Sequence, residues 1–346
     1  MKQLMLSITL LCASAPAMAS KARLMSLQGA NHIVDTQTVF TNPAHLNYLG
    51  QYITFEMGTP GTAAEGGFAR KLNSGARLSA YLGHRDPLNT FATADVRIAN
   101  GYIGQNNPLE VTYAQNDMGF GVSVSNLDDK KAGTKETTLV GKFGMKSGNT
   151  EFFTHLHLIS QAEKTAGGNK DKISAPQLVI GGAIDVDTIR YYGSLQYGQA
   201  KNEPGAPAAP SVTIKDLNAV LAFEDRSMKT QENDIYYGAQ LNYVSRDVGG
   251  AKITGTQLPV FLGMELNATS WAVFRGSVSQ NLILGSVKDE TAVNKDAAGI
   301  SNNTTVTAGL GLKYNNLVLD GALSAASNGN INGNAFLTSA AVTYTF

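Results

Sequence analysis

From Gln51 to Phe346 the chain repeatedly alternates apolar and small or polar residues with a period of two. Met118, Phe120, Val122 and Val124 stand opposite Gly119, Gly121, Ser123 and Ser125. Leu109, Val111 and Tyr113 stand opposite Glu110, Thr112 and Ala114, with Asn116-Asp117 as a tight turn between the two runs. Tyr191, Gly193, Leu195 and Tyr197 alternate with Arg190, Tyr192, Ser194 and Gln196. Such runs predict β-strands whose two faces meet different surroundings. Sixteen candidates follow: Gln51–Met57, Phe68–Leu72, Arg77–Gly83, Leu109–Gln115, Met118–Ser125, Glu136–Lys146, Thr150–Gln161, Gln177–Asp185, Ile189–Gln199, Ile214–Glu224, Ile235–Ser245, Leu258–Asn267, Trp271–Leu284, Thr304–Tyr314, Leu317–Ala325 and Ala335–Phe346.

The connections alternate in length. Short ones fall at 73–75, 116–117, 147–149, 186–188, 268–270 and 315–316. Long polar ones fall at 58–66, 84–107, 127–135, 164–174, 200–212, 246–256, 285–302 and 326–334; only 225–234 breaks the rhythm. A soluble sandwich has no reason to produce this rhythm. A transmembrane antiparallel β-barrel does, with short periplasmic turns, long extracellular loops and both termini in the periplasm. The fold expected is all-β, a barrel of about sixteen strands, with fourteen as the alternative.

Composition narrows the class. No stretch of about 18 apolar residues follows the leader, so helical spans are excluded. Basic and acidic side chains balance at 27 each, so no basic face for nucleic acid is implied. Lys2, the apolar run Leu4–Ala15 and Ala17-Met18-Ala19 predict a signal peptide over 1–19, cleaved after Ala19. The sole cysteine, Cys12, lies within it, which leaves the mature chain without disulfide or thiolate chemistry. The remaining divisions are 20–50, which is not strand-like, and the barrel, 51–346.

Two stretches carry a resemblance. The final strand, with Tyr344 and the terminal Phe346, resembles the assembly signal of bacterial outer-membrane β-barrels. That implies an outer-membrane address, contact with the barrel-assembly machinery, and a surround of outer-membrane lipid and lipopolysaccharide. Gly29-Ala30, Asp35, Asn42-Pro43-Ala44 and Leu46 resemble the N-terminal segment of the FadL/PorV-like group. In that group the segment sits at the periplasmic end, and in the fatty-acid transporters it plugs the lumen. The other reading of Asn42-Pro43-Ala44 is an ordinary capped turn, with Asn42 capping a short helix that begins at Pro43.

Facing lipid at mid-membrane costs an Arg or Lys roughly 2–4 kcal/mol. Arg77, Lys142, Arg190, Glu265, Arg275 and Lys313 are therefore expected to point inward, with Glu265 and Arg275 paired diagonally. His155 and His157 share a face opposite Leu156 and Leu158, and read as polar residues of the lumen wall. No HExxH, GxSxG, cysteine-based metal spacing or phosphate loop occurs, so no catalytic residue, cofactor or metal is assigned. The stretch 84–107 carries Arg85, Asp86, Asp95 and Arg97 with Phe91 and Tyr102. It is expected to fold inward and tune selectivity, or else to remain an exposed loop.

Sixteen strands leave a water channel unless something fills it. The expected function is that of a porin for passive diffusion of small polar solutes. The alternatives are a FadL-like transporter of hydrophobic compounds and a surface structural or adhesion barrel. Homotrimer formation enters by analogy with sixteen-stranded porins.

Overall fold

The computed structural model describes residues 20–57, 64–86, 88, 103–166, 168–205, 210–230, 232–289, 304–327 and 339–346. Its strands form one closed antiparallel ring. The last strand, Ser339–Thr345, pairs with Leu317–Ser327 on one side and with the first strand, Tyr52–Met57, on the other. Closure matters because hydrocarbon leaves an unpaired strand edge without hydrogen-bond partners. Asn169–Ser174 and Gln177–Val186 both pair with Thr150–Ala166 and with Ile189–Glu203. They are two halves of one wall strand, interrupted at Ala175-Pro176, where proline has no N–H to give the ladder. The wall therefore counts sixteen strands rather than fourteen.

Several connections expected to be long are short. Asn233–Val248 runs directly into Ala251–Asn267 through Gly249-Gly250, both with positive φ, so no loop spans 246–256. Met118–Asp129 and Thr134–Ser147 leave only 130–133 between them, and Thr150–Ala166 returns at Asn169. The strands continue past the apolar belt as paired hairpins. Beyond the bilayer both faces meet water, so the hydrophobic alternation fades while the backbone pairing persists. Wall height is uneven. Tyr52–Met57, Glu65–Lys71, Arg77–Leu82 and Leu109–Gln115 have 6 or 7 residues, whereas Asn233–Val248 has 16 and Ala272–Asp289 has 18.

The two faces separate cleanly. Phe55, Phe120, Val122, Leu156, Leu158, Leu195, Leu221, Leu262, Leu310 and Val342 are exposed on the outside. A continuous apolar exterior of this kind requires lipid, since water-soluble monomers do not expose patches of such extent. Tyr113, Trp271, Phe274, Tyr314, Tyr344 and Phe346 are exposed near the short-turn end. They form the aromatic girdle of a membrane–water interface. The inner face is charged, and much of it is buried, because the lumen holds protein.

Candidate functional site

Residues 20–50 lie inside the ring, in its short-turn half. Ser20 caps the helix Lys21–Ser26 by accepting from the Arg23 N–H at 3.3 Å. Asn42 caps the 3-10 helix Pro43–Tyr48 by accepting from the Ala44 N–H at 3.1 Å, with Pro43 at the first position. Neither helix is long enough to stand alone; the wall holds both. The Arg23 guanidinium makes a two-pronged pair with Glu265, at 2.6 and 2.8 Å. The Lys21 backbone N–H donates to Glu56 at 2.7 Å, and its ammonium pairs with Glu65. Gln37 spans Glu56 and Glu65 at 3.0 and 2.5 Å. On the far side the Asn31 N–H donates to Glu224 at 2.9 Å. The Tyr236 hydroxyl donates to the Gln28 carbonyl at 3.1 Å, and Thr307 to the Ser26 carbonyl at 3.0 Å. Wall glycines make room: a Cβ on Gly119 would strike Pro43 and Ala44, and one on Gly144 would strike Asn42 and Pro43.

The described residues after Arg77–Leu82, namely 83–86, 88 and 103–107, also turn inward, above this segment. His84 meets Glu65 at 2.9 Å. Asp86 lies 3.3 Å from His157 and 3.7 Å from His155. The Leu88 carbonyl accepts from both Gln177 and Gln196. The N–H groups of Gly104 and Gln105 reach Glu136 at 3.2 and 2.6 Å, and Ile103 packs with Ala162, Ile173 and Ile214. All five histidines of the chain stand at boundaries between wall and insertion. His32 pairs with Glu224 and, at 3.4 Å, with Asp234; His45 lies 3.0 Å from Glu151.

The residues singled out from the sequence fall as follows. Lys142 is buried with its ammonium 2.9 Å from Glu110 and 3.0 Å from the Phe40 carbonyl. Arg190 is buried between Glu151 at 2.8 Å and Asp185 at 2.9 Å. Arg77 faces inward and donates to the Leu49 carbonyl; Lys313 faces inward near the Asn267 amide, at 3.4 Å. Glu265 and Arg275 correct the expected diagonal: they sit directly opposite in register, 2.6 Å apart, and Arg275 continues to Asp320 at 2.6 Å. His155 and His157 face inward and are buried, and the His155 Nε2 lies 2.8 Å from the Thr41 carbonyl. Asp86 is buried, whereas Arg85 is exposed. Asp95, Arg97, Phe91, Tyr102 and the cleavage position Ala19 lie outside the described residues. Tyr344 and Phe346 face outward, stacked with ring centroids 6.4 Å apart. Among the described residues no group of three or more His, Asp or Glu stands at metal-binding spacing.

Sequence reasoning missed the inward carboxylates that receive these insertions: Glu56, Glu65, Glu136, Glu151, Glu224 and Asp320. Each occupies the small or polar face of its strand. Their signal was a carboxylate on the small or polar face of a strand, with the basic residues Lys21 and Arg23 in the segment. Within the segment, Asp35 accepts from the N–H groups of Gln37 and Thr38 at 2.8 and 2.9 Å. Burial pushes its carboxyl above the ordinary value, even with Arg23 nearby.

Packing is uneven across the lumen. Ser79, Tyr81, Glu110, Thr112, Ser123 and Lys142 are buried beneath the insertions. Across from them Ser194, Gln196, Asn218, Val220, Gln240 and Asn242 are only half-buried. Among the described residues the second of these walls is the less densely covered.

A closed ring with an apolar exterior, an aromatic girdle and a charged interior is a transmembrane β-barrel protein. No protein-family model matches the chain, and no curated protein does. Three solved structures similar to it are remote in sequence. OmpT, an outer membrane protein of Vibrio cholerae, is 12% identical with a TM-score of 0.42, over 86% of this chain and 96% of that one. The Pseudomonas putida toluene transporter TodX is 10% identical with a TM-score of 0.43, over 94% and 96%. An anion-selective porin from Comamonas acidovorans is 13% identical with a TM-score of 0.39, over 86% and 97%.

Proposed function

We propose that the protein passes small solutes across the outer membrane through a lumen kept narrow by its own chain, as a selective channel and not an open general porin. The observation that carries this reading is the attachment of residues 20–50 to opposite sides of the ring, by Arg23 on Glu265, Asn31 on Glu224, Gln37 on Glu56 and His45 on Glu151. Many pairs must break together before the segment can leave. Passive diffusion then follows the half-buried wall of Ser194, Asn218 and Gln240, where side chains are uncharged. A transporter of hydrophobic compounds is the second reading, favoured by Phe153, Val179 and Val220 on the same side of the lumen.

Liposome swelling with uncharged solutes of graded size tests the proposal. Slow entry restricted to the smallest solutes is expected. Fast entry of every solute, regardless of size, would make the barrel an open porin.

A further inference from the structure

A cavity of about 220 Å³ lies in the lumen between the two insertions. Asn31 of the N-terminal segment and Leu88 of the infolded stretch both line it, together with residues of the wall. Among the described residues its lining contains no charged side chain. That is unusual for this lumen: Asp86, His155 and His157 lie beside it, and Glu224 holds the Asn31 N–H. The lining divides by chemistry. Phe153 and Tyr192, stacked at 6.4 Å with an interplanar angle of 23°, join Val179, Val220 and Leu88 as an apolar side. Asn31, Gln196, Asn218 and Gln240 supply amides. These amides are held in place: Asn218 donates to Gln196 at 3.4 Å, Gln240 to Asn242 at 2.6 Å, and Gln196 to the Leu88 carbonyl.

We infer that this cavity is a binding site for an uncharged, single-ring aromatic solute that carries one hydrogen-bonding substituent. The inference rests on the transport reading above and names the substrate class of the same passage. Volume sets the size, because about 300–1,000 Å³ is usual for drug-sized ligands and this cavity is smaller. Charge sets the polarity. An ionised solute would give up its hydration with no counter-charge in the lining. A bare hydrocarbon ring would cover the amide hydrogens and lone pairs that these internal bonds leave unused. A sugar, with hydroxyl groups on every side, would bury some of them against Phe153, Val179 and Val220. A ring packed on the aromatic pair, with its substituent turned to the amides, satisfies both sides.

The test is calorimetric titration of the full chain in detergent with benzamide, benzoate, benzene and glucose. Benzamide should bind at least tenfold more tightly than each of the other three. Val220→Phe, which fills the cavity, should weaken benzamide at least tenfold, and Asn218→Leu should weaken benzamide while leaving benzene unchanged. Both variants are first shown to keep heat-modifiable gel migration. Equal binding of benzoate, tighter binding of glucose, or unchanged affinity in Val220→Phe overturns the site. Selective benzamide binding together with absent swelling in liposomes upholds the site and overturns the transport reading. Swelling without benzamide selectivity does the reverse.

Discussion

The Phe40 ring lies face to face with the His84 imidazole, centroids 3.4 Å apart and planes 11° from parallel. Phe40 belongs to the N-terminal segment and His84 to the stretch that folds in from the opposite end of the barrel. The two insertions therefore touch each other, and the contact is braced by the Tyr81 ring edge-on to Phe40 at 4.7 Å. Phe40→Ala should uncouple them. Truncating a buried phenylalanine costs about 3–5 kcal/mol, and that loss falls on the insertions rather than on the wall ladder. The variant should remain a barrel on gels while brief opening events in single-channel records become at least tenfold more frequent. An unchanged opening frequency would mean that the insertions do not act together.

Arg23, Glu265, Arg275 and Asp320 form a line of alternating charge from segment to wall. Removing different members should have unequal effects. Arg23→Met leaves Glu265 with Arg275, so the wall keeps a balanced pair. Glu265→Gln leaves two guanidinium groups side by side, and breaking a buried pair from one side costs about 3–5 kcal/mol. Urea titration of refolded protein should show Glu265→Gln clearly the less stable of the two. Equal losses would mean that Arg275 does not share the carboxylate.

Gly144 faces Asn42 and Pro43 with no space for a side chain, whereas a Cβ on Gly141 meets only Leu158, at 3.8 Å. Gly144→Val should expel the segment and Gly141→Val should not. Trypsin reports the difference through the peptide bond after Arg23. Rapid cleavage is expected in folded Gly144→Val and slow cleavage in Gly141→Val and wild type. Equal protection of all three would contradict the tight seat of Asn42-Pro43.

Asp35 gives the docked segment a pH dependence of known sign. Burial raises its carboxyl above the ordinary value. The protonated form is therefore favoured in the docked state, and docking is strongest below the unfolded value of about 3.9. Stability contributed by the neutral acid is lost as pH rises from there through the raised folded value. Asp35→Asn keeps an acceptor for Gln37 and Thr38 and removes the charge. Between pH 4 and 7 the wild-type melting temperature should fall relative to that of Asp35→Asn. A gap that stays constant across this range would place the charge elsewhere.

The wall was legible because lipid imposes a rule on every other residue. Met118, Phe120 and Val122 have to face outward, and Ser339, Ala341 and Thr343 inward, wherever the strand sits. Closure followed from the same rule, and Tyr52–Met57 does pair with Ser339–Thr345. The rule lapses where water meets both faces, which is why the continuation of Asn233–Val248 through Gly249-Gly250 was read as a loop. The lumen was less legible for another reason. Arg23 and Glu265 are 242 residues apart, and nothing local in either stretch names the other. Lys142 could be assigned to the inside from its apolar neighbours, but its partners Glu110 and the Phe40 carbonyl come from packing alone. Gly119 was visible as a small residue on the inward face; that it and Gly144 make room for Pro43 required the segment to be placed.

Single-channel conductance in planar bilayers tests the central claim most directly, with the full chain compared against a deletion of residues 21–45. Both proteins are first checked for heat-modifiable migration. Small steps from the full chain and several-fold larger, stable steps from the deletion are expected if the segment narrows the lumen. Equal conductance from the two folded proteins would contradict it.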